Sequence, residues 1–196
     1  HFKKVISRQN YLKAFAATAL LSIGAFLIMP FGSAFAVNNL HVSQNNLPLV
    51  FLFTGISSLI IMPVVGKLAD KYNKFNIFII GTIWTMVMII IYTNQGPIPL
   101  WLVIVLNIIL FMGIMSRAIP ASALTSAIPE PADRGAFMSI NSSLQQIAGG
   151  IASAAAGLIV YQQTSTSPLE HYPTLGYIVT IVMIVCIFLM YKVSKM

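Results

Sequence analysis

Arg117 is the residue of this 196-residue chain whose position makes the strongest chemical demand. It lies inside an apolar stretch from about Leu100 to Ile128. A rise of about 1.5 Å per residue would put it about 26 Å from one end of a helix and about 17 Å from the other. An arginine at that depth in a bilayer costs at least about 2.5 kcal/mol unless it meets a partner or water. Snorkelling to the headgroups would need a shallower position, so we predict that Arg117 faces an interhelical partner or a solute pathway.

Three neutral polar side chains within apolar stretches extend this predicted pathway. Asn107 precedes Arg117 by ten residues, which places the two on nearly the same face of a helix. Asn141 and Gln145 are four residues apart and share a helical face as well. For Asn141 and Gln145 the spacing leaves interhelical hydrogen bonding and solute contact equally open.

Small residues and prolines in the apolar stretches predict how the helices pack and bend. Gly149, Ser153 and Gly157 recur every four residues, a pattern that lets another backbone approach closely, so we predict helix packing along this stripe. Pro30 and Pro120 each remove a backbone hydrogen bond, and we predict a helix kink at both.

The chain lacks the residue patterns of an enzyme or of a metal site. Its three histidines fall outside the apolar stretches, whereas an intramembrane serine protease needs one within a span, after a Gly-x-Ser-Gly turn. The sequence shows no cluster with metal-ligand spacing either. We therefore predict no enzymatic activity, no metal and no cofactor. The four acids also lie in connections or at stretch ends, so a proton-carrying acid would have to come from another chain or from a missing part of this one.

Six long apolar stretches dominate the sequence. Hydrophobic residues make up 58% of the chain and charged residues 8%, whereas soluble domains carry roughly 25% charged residues. A bilayer core about 30 Å thick needs roughly 20 apolar residues of helix and offers bare backbone groups no partner. The sequence therefore predicts an all-α polytopic membrane protein, embedded in the lipid bilayer. Its six transmembrane helices cover about 14–37, 47–66, 76–94, 100–128, 135–161 and 174–191.

The cations predict how these helices are oriented. Ten of the eleven Lys and Arg residues lie before the first stretch, in alternate connections or after the last stretch, where one side of the membrane can hold them all. Because cytoplasmic loops are rich in Lys and Arg, we expect the N-terminal segment 1–13 and the tail 192–196 to be cytoplasmic, in the inner or plasma membrane. Cations placed by topology do not indicate a nucleic-acid partner, despite the net charge of +7. The ten cations are Lys3, Lys4, Arg8, Lys13, Lys67, Lys71, Lys74, Arg134, Lys192 and Lys195.

The connection after the second stretch combines a glycine, an acid and several cations. From spacing alone we expect Gly66 to end one helix and Asp70 to cap or pair near the start of the next. The segment from Gly66 to Lys74 also resembles the loop signature of the major facilitator superfamily, G-x-L-A-D-R-x-G-R-K. Lys71 replaces the first Arg of that signature, and Asn73 replaces its second Gly.

Two later segments carry the same resemblance. Residues 111–124 and 129–150 are similar to the tenth and eleventh spans of bacterial arabinose-efflux-like and drug-efflux permeases. The resemblance implies the C-terminal six-helix half of a carrier whose N-terminal six-helix half is its partner. It also implies alternating-access transport of a small sugar- or drug-like solute, as proton-coupled efflux by an antiporter. By resemblance, the cytoplasmic gate comprises Gly66, Asp70, Lys71, Lys74 and Arg134.

An alternative from another class is a self-contained six-span membrane protein that works as a homodimer or a structural partner. The stripe of small residues would supply its contact. The first three and the last three stretches share their lengths and turn pattern, which agrees with an inverted three-plus-three repeat. Because the sequence does not begin with Met, we expect a fragment or a processed piece of a longer protein.

Overall fold

The computed structural model describes residues 8–196, so Lys3 and Lys4 of the predicted N-terminal segment lie outside the described residues. Seven α-helices make up most of this part of the chain. They are α1 (Gln9–Phe26), α2 (Gly32–Asn38), α3 (Leu47–Lys71), α4 (Lys74–Thr93), α5 (Leu100–Ser126), α6 (Arg134–Ile159) and α7 (Tyr172–Ser194). Two short 3-10 turns cover Met29–Phe31 and Gln44–Asn46. The prediction of an all-α fold is confirmed.

Five segments are long and apolar enough to cross a bilayer: Gln9–Asn38, Gln44–Lys71, Lys74–Thr93, Leu100–Ser126 and Tyr172–Ser194. The remaining long helix, α6, has 26 residues. At about 1.5 Å per residue it is about 39 Å long and could also span a bilayer. Its serines, glutamines and glycines make it the least apolar of the long helices. The polytopic membrane fold is therefore confirmed, with one helix that differs from the rest in polarity.

The first span is interrupted at Pro30. α1 ends at Phe26, a 3-10 turn covers Met29–Phe31, and α2 begins at Gly32. Because proline has no N–H, Pro30 cannot complete the α-helical hydrogen bond to the Phe26 carbonyl, and the chain forms a tighter turn there. α5, by contrast, stays helical through Pro120.

The connection between α3 and α4 begins later than Gly66. α3 continues through Gly66 to Lys71, because this last segment includes leucine, alanine and lysines that favour helix. Asn73 then caps α4, its side-chain oxygen accepting hydrogen bonds of 2.9 and 3.3 Å from the backbone N–H groups two and three residues ahead. The expectation that Gly66 ends the helix and that Asp70 caps the next one is wrong, since Asp70 lies in the last turn of α3.

The helices form two trios of spans with equivalent contacts, α1, α3 and α4 in the first and α5, α6 and α7 in the second. α1 packs on α6 and α7, α5 packs on α3 and α4, and α4 packs on α7. If α1 is exchanged with α5, α3 with α6 and α4 with α7, the same pairs of helices are in contact. Because each trio has an odd number of spans, the second trio runs through the membrane in the opposite direction. The packing therefore agrees with the inverted three-plus-three repeat.

Glycines bring α4 and α5 into backbone contact. A Cβ added at Gly81 of α4 would lie 2.6 Å from the carbonyl carbon of Ser116 and 2.8 Å from the backbone nitrogen of Arg117. A Cβ added at Gly113 of α5 would lie 2.7 Å from Oγ1 of Thr85. Only glycine permits these approaches, so α4 fixes the helical turn from which Arg117 projects.

Candidate functional site

Arg117 extends from α5 into the interior of the bundle. Its side chain is buried, with 5% of the residue exposed. Its Nη1 atom lies 3.8 Å from the position that a Cβ at Gly24 of α1 would occupy, and Val179 of α7 lies 3.9 Å from the same position. The missing side chain at Gly24 therefore leaves room for the guanidinium between α5, α1 and α7.

The guanidinium has little inside the bundle to satisfy its charge. Its Nε is buried and makes no hydrogen bond with any described residue. The thiol of Cys186 on α7 interacts with it, but the same sulfur lies 3.7 Å from the Ala17 carbonyl oxygen, to which it donates. Within residues 8–196, no carboxylate lies within ion-pair distance of Arg117.

Asn141 and Gln145 both contact α1. The Thr18 hydroxyl donates to Oδ1 of Asn141, and the Ser22 hydroxyl lies 3.4 Å from Oε1 of Gln145. Thr18 and Ser22 are four residues apart, as are their partners, so the two contacts lie one helical turn apart along the α1–α6 interface. Of the two roles that the spacing left open, this arrangement shows the interhelical hydrogen bond.

The stripe of small residues on α6 packs against the interruption of the first span. A Cβ at Gly149 would lie 2.7 Å from the Phe26 ring. The Ser153 hydroxyl donates a 3.2 Å hydrogen bond to the Phe26 carbonyl, the same group that Pro30 leaves without its helical donor. A Cβ at Gly157 would lie 4.0 Å from the Phe31 ring. Because contacts within the chain use this stripe, it gives the homodimer alternative no support.

Loss of the hydrogen bond between Thr18 and Asn141 should weaken the interface between α1 and α6. A leucine at position 141 removes this bond but keeps a side chain of similar size. We expect Asn141→Leu to lower the free energy of unfolding by roughly 0.5–2 kcal/mol, the range found for hydrogen bonds between membrane helices. Thermal unfolding of the purified protein, combined with Thr18→Val in a double-mutant cycle, would measure the coupling. Ser143→Ala is the matched control, because the Ser143 hydroxyl bonds to its own helix at the Ser139 carbonyl. Additive effects of Asn141→Leu and Thr18→Val would contradict the assignment.

Asn107 contacts a different helix from Arg117. Its amide donates to the Tyr92 hydroxyl of α4 at 3.3 Å and to the Val103 carbonyl of its own helix at 3.0 Å. Tyr92 is buried. Asn107 therefore links α5 to α4, whereas Arg117 reaches towards α1 and α7.

α6 also presents an exposed polar face that the sequence reading missed. This face carries hydroxyl and amide groups at three- and four-residue spacing: Ser139, Ser142, Ser143 and Gln146, all exposed. A separate exposed face of the same helix is apolar: Leu144, Ile147, Ile151 and Leu158. α6 thus has one face on α1, one suited to lipid and one suited to water or a polar partner. The recurrence of serine and glutamine at three- and four-residue spacing is the sequence pattern that could have predicted this polar face.

The predicted gate residues lie at one end of the bundle, which we name the basic end. It comprises the start of α1, the α3–α4 and α5–α6 connections and the end of α7, and a ring contact between Phe75 and Tyr191 joins two of these parts. Asp70, Lys71 and Arg134 are exposed here, and Lys74 is half-buried. In the part of the chain that the structure describes, none of these four side chains makes an ion pair. Gly66 lies one turn before Asp70 in the same helix.

A second charged cluster at the basic end was not predicted. Arg8 Nη1 lies 2.6 Å from Glu130 Oε1, 3.5 Å from Asp133 Oδ2 and 3.1 Å from the Tyr11 hydroxyl. The Tyr11 hydroxyl lies 3.3 Å from Asp133 Oδ2 and accepts a hydrogen bond from the Glu130 backbone N–H. The hydrogen bond with Glu130 raises the pKa of Arg8 above its usual value, so its guanidinium stays charged. This cluster ties the start of α1 to the α5–α6 connection.

Comparison with known proteins identifies the family. The sequence model of the Major Facilitator Superfamily matches residues 14–195, nearly the whole chain. The chain belongs to the Major Facilitator Superfamily. This superfamily comprises membrane transporters and not enzymes, in agreement with the prediction from the residues.

Two curated members of the superfamily resemble the chain over part of its length. They are the proline/betaine transporters of Escherichia coli strain K12 and of Escherichia coli O157:H7, each 23% identical over 131 residues. The match covers 61% of this chain and 26% of each transporter. The chain therefore matches about a quarter of the length of these superfamily relatives.

Proposed function

We propose that this chain is the C-terminal six-helix half of a secondary carrier that exports a small organic solute in exchange for protons. The solute binds between this half and an N-terminal six-helix half, and the two halves rock about it so that it is exposed to each side of the membrane in turn. The named solutes of the Escherichia coli relatives, proline and betaine, are small organic molecules, as are the sugar- and drug-like solutes that the sequence resemblance implies.

The exposed polar face of α6 is the observation that carries this proposal. A helix in contact with lipid cannot leave serine hydroxyls and a glutamine amide facing hydrocarbon without cost. Ser142 and Gln146 lie on a third face of α6. Ile147 and Ile151 mark the lipid face of this helix, and Asn141 marks the face that contacts α1. A water-filled pathway between two halves supplies what this third face needs.

The basic end of the bundle acts as the cytoplasmic gate in this proposal. The basic end faces the cytoplasm, in keeping with the positive-inside rule. Asp70 and the cations around it meet the N-terminal half there as a gate, and their lack of ion pairs within residues 8–196 leaves them available for that contact. All four acids of the chain lie at helix ends or in connections, so the N-terminal half supplies the acid that carries the proton.

We assign Arg117, Asn107, Asn141 and Gln145 to the part of the pathway that this half contributes. Arg117 provides the charge, and Asn107, Asn141 and Gln145 hold α4 and α1 in place around it. In this proposal Asn141 and Gln145 exchange their α1 contacts for solute contacts when the halves rock. The energetic difference between the two sets of neutral hydrogen bonds is small, which suits a reversible change.

Cysteine accessibility tests the water-filled pathway directly. In the complete carrier in membranes, we expect Ser142→Cys and Gln146→Cys to react with a water-soluble maleimide. Ile147→Cys, on the apolar face of the same helix, is the matched control and should react slowly. Equal labelling at all three positions, or labelling of position 147 alone, would refute the assignment of the polar face.

Transport assays test the function itself. Proteoliposomes containing the complete carrier and a proton gradient should lose that gradient when a transported solute is added, and a solute gradient should drive proton movement in return. Solute movement that leaves the proton gradient intact would retain transport and reject proton exchange. A purified six-span homodimer with no solute movement would instead favour the alternative.

Loss of the Asp70 charge should slow the carrier without changing solute binding. We expect Asp70→Asn to reduce the initial transport rate about tenfold, in keeping with the loss of one charge-assisted contact of about 1.5–3 kcal/mol at the gate. Equilibrium binding of the same solute should change by less than about twofold, because Asp70 lies at the end of α3, away from Arg117. Glu170→Gln, at the opposite end of the bundle, is the control. An unchanged rate in Asp70→Asn would remove this residue from the gate.

A further inference from the structure

Arg117 is a buried cation that no acid of this chain neutralises. The acids lie in the last turn of α3, in the α5–α6 connection and in the α6–α7 connection: Asp70, Glu130, Asp133 and Glu170. α5 continues for nine residues beyond Arg117 before it ends at Ser126, so even its own carboxyl-terminal connection lies about 14 Å away along the axis. The positive charge in the interior therefore lacks a negative counterpart among the described residues.

The neighbours of Arg117 cannot take over this role. The Cys186 thiol uses its proton in the hydrogen bond to the Ala17 carbonyl oxygen, so it meets the guanidinium as a neutral group. Gly24 contributes no side chain, and Val179 contributes only an apolar one. The buried Nε has no acceptor at all among residues 8–196, although a planar guanidinium binds best when two of its N–H groups share one acceptor group.

The polar groups near the pathway also limit the charge of the missing anion. The exposed face of α6 offers neutral hydroxyl and amide groups, with no second cation beside Arg117. A single guanidinium balances one negative charge, as a carboxylate carries, whereas a phosphate ester carries close to two at neutral pH. A carboxylate also matches the forked geometry of the guanidinium.

We propose that Arg117 binds the carboxylate of the transported solute, so that the carrier moves organic acids or zwitterions rather than neutral sugars. This inference rests on the proposed function, because it assigns a chemical class to the solute of the same pathway. The guanidinium lies between α5, α1 and α7, and its buried Nε edge, which no described residue occupies, is where the carboxylate would bind. Without solute, Arg117 remains an unpaired buried charge.

The stability of the solute-free carrier tests this without any knowledge of the solute. Replacing an unpaired buried charge by an apolar side chain of similar length stabilises a protein, whereas removing one member of a buried ion pair destabilises it. We expect Arg117→Met to raise the thermal unfolding midpoint of the purified complete carrier by about 2–5 °C. Lys192→Met, which removes an exposed cation of α7, should leave the midpoint within about 1 °C. A lower midpoint for Arg117→Met would show that the N-terminal half already supplies the anion and would overturn the proposal.

Matched solute pairs test the chemical class. N-acetylproline with N-acetylprolinamide, lactate with lactamide, and gluconate with glucose each pair a carboxylate with a neutral counterpart. We expect at least one carboxylate to stabilise the wild-type carrier and to exchange in counterflow, its neutral counterpart to do neither, and Arg117→Met to lose both effects. Binding of neutral members only, or carboxylate binding that persists in Arg117→Met, would overturn the proposal. Transport of a neutral solute would still leave the proposed function standing, so the two failures are distinguishable.

Discussion

Replacement of Arg117 by alanine should abolish solute movement by the complete carrier while leaving the protein in the membrane. The change removes the cation that projects between α5, α1 and α7, and no other described cation can reach that position, since the others lie towards the basic end. A hydrogen bond to a charged group contributes about 1.5–3 kcal/mol. Loss of a two-bond contact therefore predicts a decrease on the order of 100-fold or more in the initial rate.

Lysine at the same position gives the graded control for this experiment. Arg117→Lys keeps the charge but loses the planar fork, so we expect a decrease of about tenfold rather than complete loss. Rates in proteoliposomes, normalised to the amount of reconstituted protein, would measure both variants. A wild-type rate in Arg117→Ala would exclude Arg117 from the pathway, whereas absence of the alanine variant from the membrane would point to a role in folding.

Gly81→Ala should be the most disruptive single-methyl change in the chain. The new Cβ would lie 2.6 Å from the Ser116 carbonyl carbon, a backbone atom that cannot rotate away. α4 and α5 would have to separate, and overpacking of this kind costs roughly 1–3 kcal/mol or more. We expect a lower thermal unfolding midpoint and a smaller yield of folded carrier. The separation would also displace the helical turn that carries Arg117, so solute binding should weaken in the protein that still folds.

Gly55→Ala is the matched control for Gly81→Ala. Gly55 also lies inside a long helix, α3, but no atom lies within 4 Å of its added Cβ. Alanine is the better helix former of the two residues, so this variant should be neutral or slightly more stable. Equal unfolding midpoints for the two variants would contradict the close α4–α5 contact.

Structural features that depend on residues close together in the sequence were predictable. The apolar stretches predicted long helices, because a bilayer leaves the backbone no other structure. Pro30 predicted a weak point in the first span, and a 3-10 turn lies there. Gly66 shows the limit of such rules, since a glycine ends a helix only where the chain also turns. The actual turn comes at Asn73, whose side chain caps α4.

Features that depend on helix rotation and on distant contacts were not predictable. Spacing places Asn141 and Gln145 on one face but cannot say whether that face meets α1 or a solute. The contact between Tyr11 and Asp133 joins residues 122 positions apart, so no local sequence pattern predicts it. The role of Gly24 was not predictable either, because it depends on the guanidinium of Arg117, which comes from a distant part of the sequence and lies beside this glycine.

The meeting of Arg117 with Gly24 has a consequence for the symmetry of the bundle. α5 and α1 are equivalent helices of the two trios, but where they meet one contributes a guanidinium and the other a bare backbone. This difference turns a symmetric scaffold into a site with a single charge and a single orientation.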